Sequence, residues 1–170
     1  MEYFQSNVYL VGFMGTGKST VGKRLAKAIN YRFIDSDNYI EEKEGKTIEQ
    51  IFTEKGEAYF RSLEKDFVLT RHPEGGCVVS CGGGLITQEG IVELLKKRGT
   101  LIALVASASV IYERVKNHSH RPLLKGDDPL GIIKKLLVER HPYYAKIPNQ
   151  IMTDFRSLPD IVGQIKRLIK

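Results

Sequence analysis

The chain has 170 residues, 42% of them hydrophobic and 27% charged, the balance of a single globular domain with a sizeable core rather than of a disordered or membrane-spanning protein. No apolar run approaches the roughly 18 residues of a membrane span, and Met1 to Asn7 has no basic segment followed by an apolar stretch, so neither anchor nor signal peptide is expected and the cytoplasm is the default. A net charge of +6 raises the question of nucleic acid, but the basic residues fall in helical pairs such as Lys134-Lys135, with no long tract interleaved with aromatics; small anionic ligands are favoured.

Val8 to Val11 is a short apolar run that predicts a buried parallel strand. It leads into Gly12-Phe13-Met14-Gly15-Thr16-Gly17-Lys18-Ser19, which matches G-x-x-x-x-G-K-[ST] at every fixed position. Val21, Leu25, Ala28 and Ile29 follow at helical spacing. Strand, glycine loop and helix therefore stand in the order a phosphate-binding loop requires. The loop's N–H groups and the helix N-terminus would cradle phosphates. Lys18 would reach the β- and γ-phosphates, and the Ser19 hydroxyl would hold Mg²⁺. The motif specifies a nucleoside triphosphate with magnesium and leaves the phosphate acceptor open.

Tyr31 to Ile34 alternates into a second strand that ends in Asp35-Ser36-Asp37. In an extended segment residues i and i+2 face the same side, so both carboxylates are expected at the ligand edge of the sheet. One would support magnesium through water; the other would accept a proton or hydrogen bond from a substrate hydroxyl. The alternative is an N-cap aspartate for a helix starting near Asn38; behind a phosphate loop, the catalytic reading takes precedence. Thr47-Ile48-Glu49-Gln50 reads as a capping box. The helix it opens is interrupted at Gly56 and resumes to about Thr70. Arg61 within it is either solvated or a bidentate clamp for an anionic substrate, and residue physics leaves both open.

Cys77 to Ser80 predicts a third, buried strand running into Gly82-Gly83-Gly84, either backbone held against a ligand or a sharp turn. Cys77 and Cys81 are expected to be buried, reduced thiols. A helix is expected from about Gln88 to Arg98, capped by Thr87. Leu101 to Val105 is the fourth strand, followed by a helix capped by Ser107 or Ser109. Asn117 to Asp128 breaks the pattern with the length of a functional loop. It is either a lid carrying Arg121 onto transferred charge or a surface connection, with His118 and His120 as plain polar surface. Asp128-Pro129 starts a helix ending around Glu139 to Pro142, Gln150 to Thr153 is a last strand, and Pro159-Asp160 opens an amphipathic terminal helix. The alternation predicts an α/β fold: a three-layer sandwich with a five-stranded parallel sheet and helices on both faces, its ligand crevice at the carboxyl ends of the strands.

Taken as an ordered set, Gly12 to Thr20, Asp35-Ser-Asp37, Gly56-Glu-Ala-Tyr-Phe-Arg61, Gly82-Gly-Gly84, Arg121-Pro-Leu-Leu124 and Glu139-Arg140 resemble the shikimate kinase family over nearly the whole chain. This family belongs to the nucleoside-monophosphate-kinase-like group with a phosphate-loop fold and a lid. The resemblance implies one domain over 1–170, with a lid at about 117–128 and an acceptor-binding helical part at about 37–70. It also implies transfer of the γ-phosphoryl of MgATP to the 3-hydroxyl of shikimate, within aromatic amino acid biosynthesis. Carried over motif by motif, Gly15, Thr16, Gly17, Lys18, Ser19 and Thr20 would bind ATP, with Ser19 and Asp35 at Mg²⁺. Asp37 would bind the shikimate hydroxyls and serve as base. Arg61 and Arg140 would hold the carboxylate, Gly83 would meet the substrate through its backbone, and Lys18 and Arg121 would act on transferred charge. Arg114 and Pro159 would flank the adenine. Family members often have Thr where this chain has Cys81. ATP and shikimate are the implied ligands, without nucleic acid or membrane, and a monomer is expected. The alternatives are a kinase of another small acceptor, such as gluconate, and a nucleotide-binding module without turnover.

Overall fold

The computed structural model describes residues 6–118 and 126–169. Five strands, β1 (Asn7–Val11), β2 (Arg32–Asp35), β3 (Cys77–Ser80), β4 (Gly99–Val105) and β5 (Asn149–Met152), pair in parallel in the order β2-β3-β1-β4-β5. The helices are α1 (Lys18–Ile29), α2 (Ser36–Glu44), α3 (Ile48–Thr70), α4 (Ile91–Arg98), α5 (Ala108–Val115), α6 (Pro129–Tyr144) and α7 (Leu158–Leu168), with a 3₁₀ turn at Leu85–Thr87.

Strand alternation sorts the core into two layers. Val8 and Leu10 of β1 join Val78, Ile102, Leu104 and Ile151 beneath Val21 and Leu25 of α1 and Ile161 and Ile165 of α7. Tyr9 and Val11 face the other way, with Val79 and Ala103, against Phe67 and Val68 of α3, Ile91 and Leu95 of α4, and Tyr144 of α6. Every residue of β1 and β3 is buried, as central parallel strands covered on both faces require. The expected three-layer sandwich is what forms. The arrangement brings the loops after β1, β2 and β3 to one edge, because those strands are neighbours running the same way.

Several boundaries differ from the sequence reading, each for a local reason. The expected helix from Gln88 begins at Ile91 instead: Leu85–Thr87 closes a 3₁₀ turn first, and Gly90 at φ 77° forms the helix entry without a side-chain cap. Thr87 spends its hydroxyl on Gly84 O at 2.7 Å rather than capping. The capping box at Thr47 and Gln50 is present, and α3 continues past Gly56 with a kink at φ 83°, ψ 170°. Helix α6 runs on through Pro142 to Tyr144, and Asp128 caps its start through Gly131 N. The loop carrying His120 and Arg121 lies outside the described residues in its central part, 119–125.

Candidate active site

The phosphate loop is shaped by glycines where nothing else fits. Gly12 has φ 152°, and a Cβ on it would lie 2.4 Å from Leu104 O. Gly17 at φ 97° is the N-cap of α1 and offers no side chain to its first N–H groups. Helix α1 thus begins with donors that a bound anion can take. Thr16 is buried and turns its hydroxyl onto Phe13 O at 2.8 Å, so it serves the loop's own shape. Thr20 is exposed in the first turn of α1. Lys18 folds over the loop, with Nζ donating to Gly12 O at 2.9 Å and Phe13 O at 3.1 Å.

Asp35 and Asp37 come together by a different route from strand alternation. Asp35 ends β2 and is the N-cap of α2, its Oδ1 accepting from Asp37 N at 3.1 Å and Asn38 N at 3.3 Å. Asp37 sits in the first helical turn, not in an extended segment; the cap turns the chain and carries it inward. Capping occupies only one Asp35 oxygen and leaves the other directed at the phosphate loop. Its Oδ2 accepts from Ser19 Oγ at 2.8 Å, and Ser80 Oγ lies 3.4 Å from that hydroxyl. A hydroxyl and a carboxylate at a phosphate loop are hard oxygen donors of the kind Mg²⁺ takes alongside phosphate oxygens and water. Among the described residues no cluster of three or more His, Cys, Asp or Glu side chains is arranged to cage a metal. The donor set fits a cation that arrives with its nucleotide.

The triple glycine is where the parts of the site meet. A Cβ on Gly82 would lie 2.6 Å from Asp37 Oδ1 and 2.7 Å from Glu64 Oε1; one on Gly83 would lie 3.3 Å from Arg140 Nη1 and 3.7 Å from Gly12 O; one on Gly84 would lie 2.4 Å from Arg61 Nη1. Asp37, Glu64, Arg61 and Arg140 thus surround a strip of bare backbone that borders the phosphate loop. Gly82 N is fixed by donating to Ser36 Oγ at 2.8 Å.

Charges in this strip are strongly coupled. Asp37 Oδ1 is inaccessible and has no hydrogen-bond partner. Burial first, then the carboxylates of Asp35 and Glu64, push the Asp37 carboxyl up to about 7, against the opposing pull of Lys18. Glu64 is 1% exposed and holds Arg61 Nη1 at 2.6 Å. It also accepts from Gln88 Nε2 at 3.0 Å, while its Oε1 is unpartnered. Burial still raises the Glu64 carboxyl, although Arg61 opposes it. Arg61 Nη2 reaches the exposed Glu57 at 3.2 Å. Arg140 lies over the Phe13 ring at 5.3 Å and donates to Gly83 O at 3.1 Å.

Arg114, in the last turn of α5, ties the loop to the end of β5: Nη1 donates to Gly15 O and to Thr153 Oγ1, both at 3.0 Å, and Nη2 to Thr153 O at 3.1 Å. Pro159 stands outside that set of contacts, exposed in the first turn of α7. Arg121 belongs to the undescribed stretch. Sequence reasoning missed Glu64, Gln88, Ser80 and Tyr144. For Glu64 a signal existed in its i,i+3 spacing from Arg61; for the others only the fold supplies it. Cys77 and Cys81 are both buried free thiols, and burial raises both, so they are poor nucleophiles.

The model of a family described as Shikimate kinase matches residues 14–170. A relative named Shikimate kinase from Sulfurihydrogenibium sp. (strain YO3AOP1) is 45% identical over 164 residues, covering 96% of this chain and 98% of its own. One of the same name from Persephonella marina (strain DSM 14350 / EX-H1) is 45% identical over 159 residues, covering 94% and 96%. Among solved structures, shikimate kinase from Acinetobacter baumannii in complex with shikimate superposes with a TM-score of 0.89 at 38% identity, covering 97% of this chain and 93% of the other.

Proposed function

Since this chain belongs to the shikimate kinase family, an ATP-dependent kinase acting on shikimate, we propose that its residues divide that reaction between the two sides of one cleft. The γ-phosphoryl of ATP passes to the 3-hydroxyl of shikimate, giving shikimate 3-phosphate and ADP. On the donor side, Gly15 to Thr20 hold the phosphates, chiefly through backbone N–H groups, and Lys18 turns from the loop carbonyls to the β- and γ-phosphates. Arg114 and Pro159 flank the adenine. Ser19 and Asp35 would hold Mg²⁺, which would offset charge on the phosphates. Arg121, beyond the described residues, is assigned to the lid on its sequence motif.

On the acceptor side, Arg61 and Arg140 take the substrate carboxylate, the Gly83 backbone meets the ring, and Asp37 binds the hydroxyls. A carboxyl raised to about 7 is matched to receiving a proton from the attacking hydroxyl near neutral pH. The protein has little covalent work beyond this. Holding hydroxyl and phosphate in line and supplying positive charge do most of it. The single domain divides into an acceptor part at about 37–70 and a lid at about 117–128. A cytoplasmic monomer is part of the same proposal; among the described residues no helix is long and apolar enough to cross a membrane.

The observation that carries this reading is the convergence of Asp37, Arg61 and Arg140 on Gly82 to Gly84 beside the phosphate loop. Two cations and one carboxylate suit a polyhydroxylated acid better than a nucleotide acceptor. The test is ADP release from MgATP with and without shikimate, in the wild type and Asp37→Asn. Shikimate-dependent turnover that collapses in the variant while ATP binding survives is expected. Release that ignores shikimate but responds to gluconate would reassign the acceptor, and release with no acceptor dependence would leave only a nucleotide-binding module.

A further inference from the structure

The carbonyl of Gly83 is held twice. Arg140 Nη1 donates to it at 3.1 Å and Tyr144 Oη at 3.3 Å. Both donors come from α6, four residues apart and so on one helix face. Their surroundings differ. Arg140 lies over the Phe13 ring at the phosphate loop and is half-buried. Tyr144 is 6% exposed and packs in the core with Cys81, Leu85 and Ile86. Its hydroxyl is shielded from solvent, and burial pushes its ionisation up to about 12, so it stays a neutral donor at any working pH.

We propose that Tyr144 is a positioning residue for the acceptor: it keeps the Gly83 peptide oriented when Arg140 turns its guanidinium toward the substrate carboxylate. The proposal rests on the acceptor assignment made above. The carbonyl draws on both donors. An incoming carboxylate competes for Arg140, because a charged, bidentate contact is stronger than one bond to a neutral carbonyl. A Gly83 carbonyl left without any donor would be a half-buried acceptor lacking its partner. The peptide joining Gly83 to Gly84 would then be less restrained within the strip bordered by Arg61 and Arg140. Tyr144 removes that penalty because its ring is fixed by packing and does not move with the ligand. Gly83 has no side chain to hold the peptide in place, so this role falls to its carbonyl partner.

The test is steady-state kinetics and direct shikimate binding for Tyr144→Phe, Arg140→Ala and the double variant. Phe keeps the ring that packs the core, and a thermal melt within a few degrees of the wild type verifies the fold. We expect Tyr144→Phe to raise KM for shikimate about two- to tenfold, the range for one lost hydrogen bond, with kcat and KM for ATP changed less than twofold. In the Arg140→Ala background the same substitution should have an effect on shikimate binding clearly different from that in the wild type, since both donors serve one carbonyl. An unchanged KM for shikimate, equal losses for both substrates, or strictly additive effects would overturn the proposal. Failure of Arg140→Ala to weaken shikimate would instead strike at the acceptor assignment itself, whatever Tyr144 does.

Discussion

Asp37 should make the empty protein less stable, and increasingly so as pH rises. Its carboxyl is raised to about 7 by burial and by the charges of Asp35 and Glu64, whereas in the unfolded chain an aspartate titrates near ~3.9. Between those values the folded state binds the proton and the unfolded state does not. Stability therefore falls as pH rises through that window. Using ~1.36 kcal/mol per pH unit, the burden is about 1.5 kcal/mol at pH 5 and about 4 kcal/mol at pH 8. Water reaching the half-buried carboxylate makes these upper values. Asn carries no charge at any pH and has the same outline. Urea unfolding of wild type and Asp37→Asn, without nucleotide or metal, should give a more stable variant at pH 8, with the gap shrinking at pH 5. A gap independent of pH, or a variant less stable at pH 8, would refute the electrostatic account. The same variant should lose turnover, so stability and activity move in opposite directions at one residue.

Arg61→Ala should raise KM for shikimate by well over tenfold while KM for ATP changes little, since a buried charge contact of about 2–5 kcal/mol is removed on the acceptor side alone; equal changes in the two KM values would contradict the clamp. Gly84→Ala should also weaken shikimate selectively, because its Cβ would lie 2.4–2.6 Å from the Arg61 guanidinium and push it aside; unchanged acceptor kinetics would show that the guanidinium moves away without penalty. Glu64→Ala, which strands Arg61, should lower stability by about 1–3 kcal/mol in chemical denaturation, less than a fully buried pair because Arg61 is 24% exposed, with Glu64→Gln milder; a neutral Ala variant would mean that the pair holds nothing. Phe155 is 96% exposed with φ 53°, so Phe155→Gly should stabilise the protein by about 1 kcal/mol, and a lower melting temperature would point to an unrecognised contact.

The donor half of the site was legible because the phosphate loop is local: strand, glycines and helix lie within 22 residues of one another in the chain, and each signals its own conformation. The acceptor half was legible only in part. Asp35 and Asp37 were placed at the right edge, but for a reason the structure replaces, since side-chain capping of α2 rather than alternation turns Asp37 inward. Glu64 was passed over because a glutamate in an amphipathic helix ordinarily faces water. Only packing of α3 against the glycine strip buries it at 1% exposure. The start of α4 was set three residues early because Gly90, at φ 77°, makes its helix entry through backbone geometry that side-chain identity does not announce. Tyr144 carries no motif at all; its meaning comes from α6 crossing to Gly83, 61 residues away in sequence.

A site for two anions needs cations, yet Asp35, Asp37, Glu57 and Glu64 stand around them. The acids follow from the same requirement. Arg61 and Arg140 border neighbouring glycines of one strip, where two like charges repel. Glu64 offsets this: it is buried, bonds Arg61 and lowers its own charge cost through Gln88. Glu57 is 66% exposed and bonds the other Arg61 nitrogen at 3.2 Å, so it is the weaker partner, worth about 0–1 kcal/mol. Under the proposed acceptor assignment, a substrate carboxylate would displace the exposed Glu57 while Glu64 keeps the guanidinium in place. The arrangement presents a clamp already oriented on one side and easily vacated on the other, which is how ordering costs are met before binding rather than during it. Asp37 carries an inaccessible oxygen, Oδ1, without a hydrogen-bond partner, and Asp35 and Glu64 stand among the charges that raise its carboxyl. That imbalance is unfavourable to the fold, and it raises the Asp37 carboxyl to about 7, the range that the proposed proton-acceptor role would use.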